Sequence, residues 1–86
     1  MRFLVETTFK QPPTEDVLAL IPAEVEHGKI LDAQGLREQL YVAADMSGAW
    51  QVYRGESLDA VRALVATFPL YPYLNTTITP LAEAMR

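Results

Sequence analysis

The 86-residue sequence contains no cysteine, a single histidine, His27, and a single tryptophan, Trp50. Without cysteine there are no disulfides and no thiolate metal sites, and one histidine makes a His-rich metal centre within the chain an unexpected use of it. Positive charge is also scarce, with seven Lys and Arg against eleven Asp and Glu and a net charge of −4. A phosphate backbone needs clustered cations, so a nucleic-acid partner is not expected. No apolar run approaches the roughly 20 residues that span a bilayer, and Met1-Arg2-Phe3-Leu4 lacks the core of a signal peptide. The expectation is a soluble, cytoplasmic protein with no membrane partner.

What the chain does have is apolar content: half of its residues are hydrophobic. One domain over residues 1–86 is expected, and a lone domain of this size buries only roughly 60% of its unfolded surface. With no disulfide or metal to add stability, association into a homodimer or a higher oligomer is the remaining common route to more burial.

Residues 2–10 alternate Phe3, Val5, Thr7 and Phe9 against Leu4, Glu6, Thr8 and Lys10, which predicts a first strand. Gln11-Pro12-Pro13 ends it. Thr14 is a good N-cap, with Glu15 and Asp16 in the first turn where carboxylates suit the helix dipole. Helix is predicted over 14–34, interrupted near Pro22 and ended by Gly35. At 100° per residue, Val17, Leu20, Ile21, Val25, Gly28 and Leu31 share an arc, with Glu24 inside it and His27 at its edge. Strands at 36–44 and 49–54 flank the turn residues Asp45-Met46-Ser47-Gly48, so the two form a hairpin. The inward face of the second strand stays open, because Glu38 interrupts the row Leu36, Leu40 and Val42.

Ser57 caps a second helix over 57–67, with Leu58, Val61, Leu64, Val65 and Phe68 at helical spacing. Phe68-Pro69-Leu70-Tyr71-Pro72-Tyr73 then forms an elbow in which each proline is expected to push the residue before it, Phe68 and Tyr71, into extended geometry. A last strand follows over 73–79. The order βαββαβ predicts an α+β, ferredoxin-like fold: a four-stranded antiparallel sheet with two helices on one face. The other face would carry Leu4, Tyr41 or Leu40, and Tyr73, more apolar than a monomer exposes.

With these elements in place, the chain resembles the muconolactone Δ-isomerase family of the dimeric α/β-barrel superfamily. The resemblance is carried by Phe68-Pro69-Leu70-Tyr71-Pro72-Tyr73 and Thr79-Pro80-Leu81, and more weakly by Leu20-Ile21-Pro22-Ala23-Glu24, Gly35 and Ser57-Leu58-Asp59-Ala60. It implies two ferredoxin-like subunits whose sheets face each other as a barrel, rings of such dimers in some members, and a ligand cleft between sheet and helices. It further implies proton transfer along an unsaturated lactone in aromatic catabolism, or related secondary metabolism, without a cofactor. One departure stands out. Where isomerases like the namesake have Leu-Trp-Arg, this chain has Leu40-Tyr41-Val42, so a cation able to bind a substrate carboxylate is absent there.

Glu24 is the residue whose type structure alone explains least, since a carboxylate on an apolar arc is costly to desolvate unless paired or protonated. It either snorkels to the rim, pairs with Arg2, Lys10 or Arg37, or carries a proton. His27, three residues on, shares a face with it and is a second proton carrier or a surface residue. Tyr41, Trp50, Tyr71 and Tyr73 are candidates to line a pocket for a flat ring, or packing residues of barrel and interface. Glu6 points with Thr8 to the open sheet face. Glu24 and His27 are thus the candidate catalytic pair, and Glu6, Tyr41, Trp50, Tyr71 and Tyr73 the candidate substrate contacts, with no metal and no cofactor. Two classes of function follow. One is a cofactor-independent isomerase or lyase acting on a small unsaturated carbonyl compound; the other is a non-catalytic small-molecule-binding or structural oligomer of the same fold.

Overall fold

The structure, a computed structural model, describes residues 1–82. The elements are β1 (Arg2–Phe9), α1 (Glu15–Leu18), α2 (Ile21–Ala33), β2 (Arg37–Val42), β3 (Gly48–Arg54), α3 (Leu58–Val65), a 3-10 turn (Tyr71–Tyr73) and β4 (Leu74–Leu81). The sheet runs in the order β2-β3-β1-β4 with every neighbouring pair antiparallel. That is the ferredoxin-like α+β fold. The alternation read along β1 sets its faces: Phe3, Val5 and Thr7 are buried beneath the helices, while Leu4, Glu6 and Thr8 look out on the other side. Phe3, Val5 and Tyr53 meet Leu31 of α2 and Val61, Val65 and Phe68 from α3 and its end in one core. Each such side chain taken from water contributes roughly 1.5–3 kcal/mol, which is why the helices lie on this face.

The predicted helix over 14–34 is two helices. Proline at position 22 has no N–H to give to the carbonyl of Leu18, so α1 stops there and the chain turns through Ala19 and Leu20 before α2 begins. This turn resets the phase. Gly28 and Leu31 are buried and Glu24 lies half-buried one turn before Gly28, whereas Val25, placed on the apolar arc by the sequence, is 49% exposed. At the far end Gly35 has φ of 73°, and the Leu36 and Gly35 N–H groups donate to the carbonyls of Leu31 and Asp32. This double bond pattern closes the helix, and it needs the left-handed conformation that glycine adopts most easily.

Strand β2 settles the orientation left open by Glu38. A bulge between Arg37 and Gln39 puts Arg37 opposite Tyr53 and Gln39 opposite Val52. Glu38 thereby leaves the helix side, where Arg37, Leu40 and Val42 remain, and joins Gln39 and Tyr41 on the outer face. Arg2 fixes it there through a 2.7 Å bond from Nε to Glu38 Oε1. Leu40, one of the two residues expected on the outer face, is therefore on the helix side.

At Tyr71 the elbow differs from the expectation of an extended residue before proline. Tyr71 opens the 3-10 turn: its N–H donates to Phe68 O at 3.0 Å, and the Tyr73 N–H to Leu70 O at 2.9 Å. Pro72 sits in the first turn, where a missing N–H leaves nothing unpaired, and Tyr71 packs against the core. These gains outweigh the local preference of a residue before proline. Tyr73, expected on the last strand and the outer face, lies in this turn instead, and β4 begins one residue later.

Candidate functional site

Glu24 projects from the first turn of α2 into the seam between helix and sheet. The Leu70 N–H donates to its Oε1 at 2.9 Å, tying the elbow to the helix across 46 residues of sequence. Among the described residues Glu24 forms no ion pair: Arg2 bonds Glu38 and Arg37 bonds Asp32. Burial raises the Glu24 pKa above its ordinary value, and the Leu70 N–H, the positive field of His27 and that of Arg37 each pull it part of the way back. A half-buried acid with one hydrogen bond and no fixed counter-ion holds a proton more readily than an exposed carboxylate does.

His27 stands beside it, held from α3. Its Nε2 lies 2.7 Å from Thr67 Oγ1, and its ring meets Phe68 edge-on at 4.7 Å. The one proton of the Thr67 hydroxyl goes to Leu64 O at 2.6 Å, so this oxygen accepts from His27, and Nε2 carries the hydrogen. Nδ1 is then the nitrogen left to accept a bond or a proton.

Beneath these residues lies a polar network that the sequence did not single out as a site. The bulge in β2 aims Arg37 inward, where its side chain is only 8% exposed. Its Nε and Nη2 bond the two oxygens of Asp32 at 2.7 and 3.0 Å, and Nη1 reaches Gln51 Oε1 at 3.3 Å. The same Gln51 oxygen accepts the Tyr53 hydroxyl at 2.6 Å. This bond to Arg37 holds Asp32 below the usual carboxylate range, and burial drives the Tyr53 phenol upward. Gly28 makes the room: a Cβ there would stand 2.5 Å from Arg37 Nη2. In the sequence Gly28 reads only as a member of the apolar arc of the helix. A glycine on the apolar face of a helix, opposite a cation of uncertain phase, was the available signal.

The other candidates lie elsewhere. Glu6, Tyr41 and Trp50 meet on the outer face, Trp50 opposite both Glu6 and Tyr41 in register, with Tyr41 donating to Gln39 Oε1 at 2.9 Å. The sheet stands between this group and Glu24. Tyr71 packs on the core side of the elbow, and Tyr73 lines a cavity of about 340 Å³ with Phe9, Lys10, Pro13, Val17 and Pro72. Glu24 does not line that cavity. Among the described residues no cluster of three His, Cys, Asp or Glu side chains has metal-binding geometry, and no helix is long and apolar enough to cross a membrane.

The fold and the helix–sheet seam are those of a ferredoxin-like α+β protein, and comparison with known proteins narrows this. The muconolactone delta-isomerase family model matches residues 1–85, and the chain belongs to that family. The crystal structure of muconolactone isomerase at 3.3 Å resolution superposes with a TM-score of 0.84 at 25% identity, over 99% of this chain and 92% of that one. The 5-chloro-2-hydroxyhydroquinone dehydrochlorinase of Burkholderia phenoliruptrix AC1100, solved with 2,5-dihydroxybenzoquinone, gives a TM-score of 0.70 at 18% identity, over 98% and 96% of the two chains. No curated protein sequence matches the chain.

Proposed function

We propose that this protein moves a proton within a small unsaturated lactone or carbonyl compound, with Glu24 as the proton carrier. The observation that supports it is the Glu24 carboxylate itself, half-buried, raised in pKa by desolvation and without an ion pair among the described residues. Shifting a double bond beside a carbonyl requires one group to remove a proton from carbon and return it to another carbon, with the enolate stabilised meanwhile. In this reading His27 relays the proton, its Nδ1 accepting it first and then giving it up. Membership of the isomerase family supports the same reaction class, and so does the fold shared with a dehydrochlorinase.

The test is Glu24→Gln, which keeps the acceptor for the Leu70 N–H but carries no proton. Unsaturated lactones and β-keto compounds are screened for exchange of carbon-bound hydrogen with deuterated solvent. Turnover on any active compound should fall by about 10²-fold or more, the usual worth of a general base. Undiminished exchange in this variant would move the chemistry to another residue, with His27 and Glu6 the next to test, whereas no exchange by the wild type on any compound would leave the non-catalytic binder as the better reading.

The outer sheet face supports association. Trp50, Tyr41 and Leu4 share it with Val52, and Trp50 and Tyr41 are 44% and 59% exposed. In our reading a second copy covers this face and closes the two sheets into a barrel, the smallest oligomer being a two-fold dimer.

A further inference from the structure

We propose that Arg37 is a positioning residue of the Glu24 site: held against Gly28 by Asp32 and Gln51, it sets a fixed positive charge one helical turn from Glu24 and favours the anionic, proton-accepting form of that carboxylate. The inference rests on the reading of Glu24 as proton carrier. Its structural part stands on geometry. Residues four apart on a helix are neighbours on one face, so a guanidinium pressed on Gly28 is adjacent to Glu24. Three hydrogen bonds hold the fork, two to Asp32 and one to Gln51, and Gln51 is itself held by the Tyr53 hydroxyl.

The two halves of the Asp32–Arg37 pair are not equal inside the protein. Asp32 is 46% exposed and Arg37 8%, so water screens the acid's field while the cation's field acts within the seam. The pair therefore presents net positive charge to Glu24. The other groups facing Glu24 are His27 on its own helix, Tyr53 from β3 and the Leu70 N–H from the elbow. Tyr53 is kept neutral by burial and carries no competing charge at neutral pH. Desolvation alone would leave Glu24 protonated over more of the pH range; the Leu70 N–H, His27 and Arg37 each offset part of it.

The outward turn of Glu38 completes the device. Were β2 regular, with Glu38 in the inward row, a carboxylate would face the seam in place of the guanidinium. The bulge, pinned by the Arg2–Glu38 bond, selects which of two adjacent, oppositely charged residues Glu24 meets.

The experiment follows the Glu24 carboxyl carbon by NMR through a pH titration in the wild type, Arg37→Met and Arg37→Lys. The Glu24 midpoint should move up in the Met variant and return most of the way in the Lys variant, which keeps the charge without the fork. A residue that only supports the fold would lower stability in urea and leave the midpoint unmoved, and that result overturns the proposal. Should Arg37→Met not fold, Arg37→Gln replaces it. The wild type gives an independent reading, because the Arg37 Nε resonance should titrate with the Glu24 midpoint and lose that step in Glu24→Gln; its absence also overturns the coupling. Where a turnover assay exists, the acid limb of the pH–rate profile should shift with the midpoint. A midpoint that moves without the rate limb leaves Arg37's influence standing and removes Glu24 from the chemistry.

Discussion

Replacing Glu24 by alanine removes the only acceptor shown for the Leu70 N–H, and Leu70 is 7% exposed. A buried N–H stripped of its partner costs about 1–3 kcal/mol. In a domain of this size each kcal/mol lowers the melting temperature by roughly 4–8 °C, so Glu24→Ala should melt several degrees below wild type. Glu24→Gln keeps a carbonyl in the same place and should melt close to it. The two variants also separate the hydrogen bond from the charge through pH. Since the folded protein raises the Glu24 pKa above its unfolded value, the acid's contribution is complete below the unfolded pKa and is lost as pH rises through the folded one. Wild type should therefore lose ground to Glu24→Gln on going from about pH 4 to about pH 8, while the pairs of Asp32 and Glu38 act equally in both proteins. Urea unfolding at fixed protomer concentration measures both effects. An alanine variant as stable as wild type, or a Gln variant that loses ground with rising pH, would refute the reasoning.

Two further expectations use the same measurements or sedimentation. Gly35→Ala puts a Cβ on a residue at positive φ and should lower the urea midpoint by about 1 kcal/mol of stability without changing the slope. An unchanged midpoint would mean that the end of α2 tolerates a right-handed cap. Trp50→Glu sets a carboxylate directly opposite Glu6 on the outer face, which like-charge repulsion and lost apolar contact both disfavour in a covered interface. Wild type should sediment at twice the 9.6 kDa chain mass or more and this variant near it; equal masses would place the interface elsewhere.

Most of the fold was legible because its signals are local. The period-2 row of β1, the Thr14 and Ser57 caps and the Gly35 stop depend on neighbours a few residues away, and each appears as a cap, a strand or a helix end in the structure. Glu24 could also be picked out, since a lone acid on an apolar arc is visible on a helical wheel. The surroundings of that acid were not visible in the same way. Its hydrogen bond comes from Leu70, and the support for His27 comes from Thr67, 40 residues away.

The sequence by itself therefore determined the kinds of elements, their order and the isolated carboxylate, because backbone propensity, capping and alternation act within one turn or one strand. Tertiary structure alone decided which way β2 faces and what Glu24 meets. A bulge changes the face of the residues beyond it, and whether one forms depends on the register against β3, the room above Gly28 and the anchoring of Glu38 by Arg2. Those contacts join residues far apart in the chain. The inward Arg37 is consistent with all three at once: the register against β3, the space above Gly28 and the Arg2–Glu38 pair on the outer face.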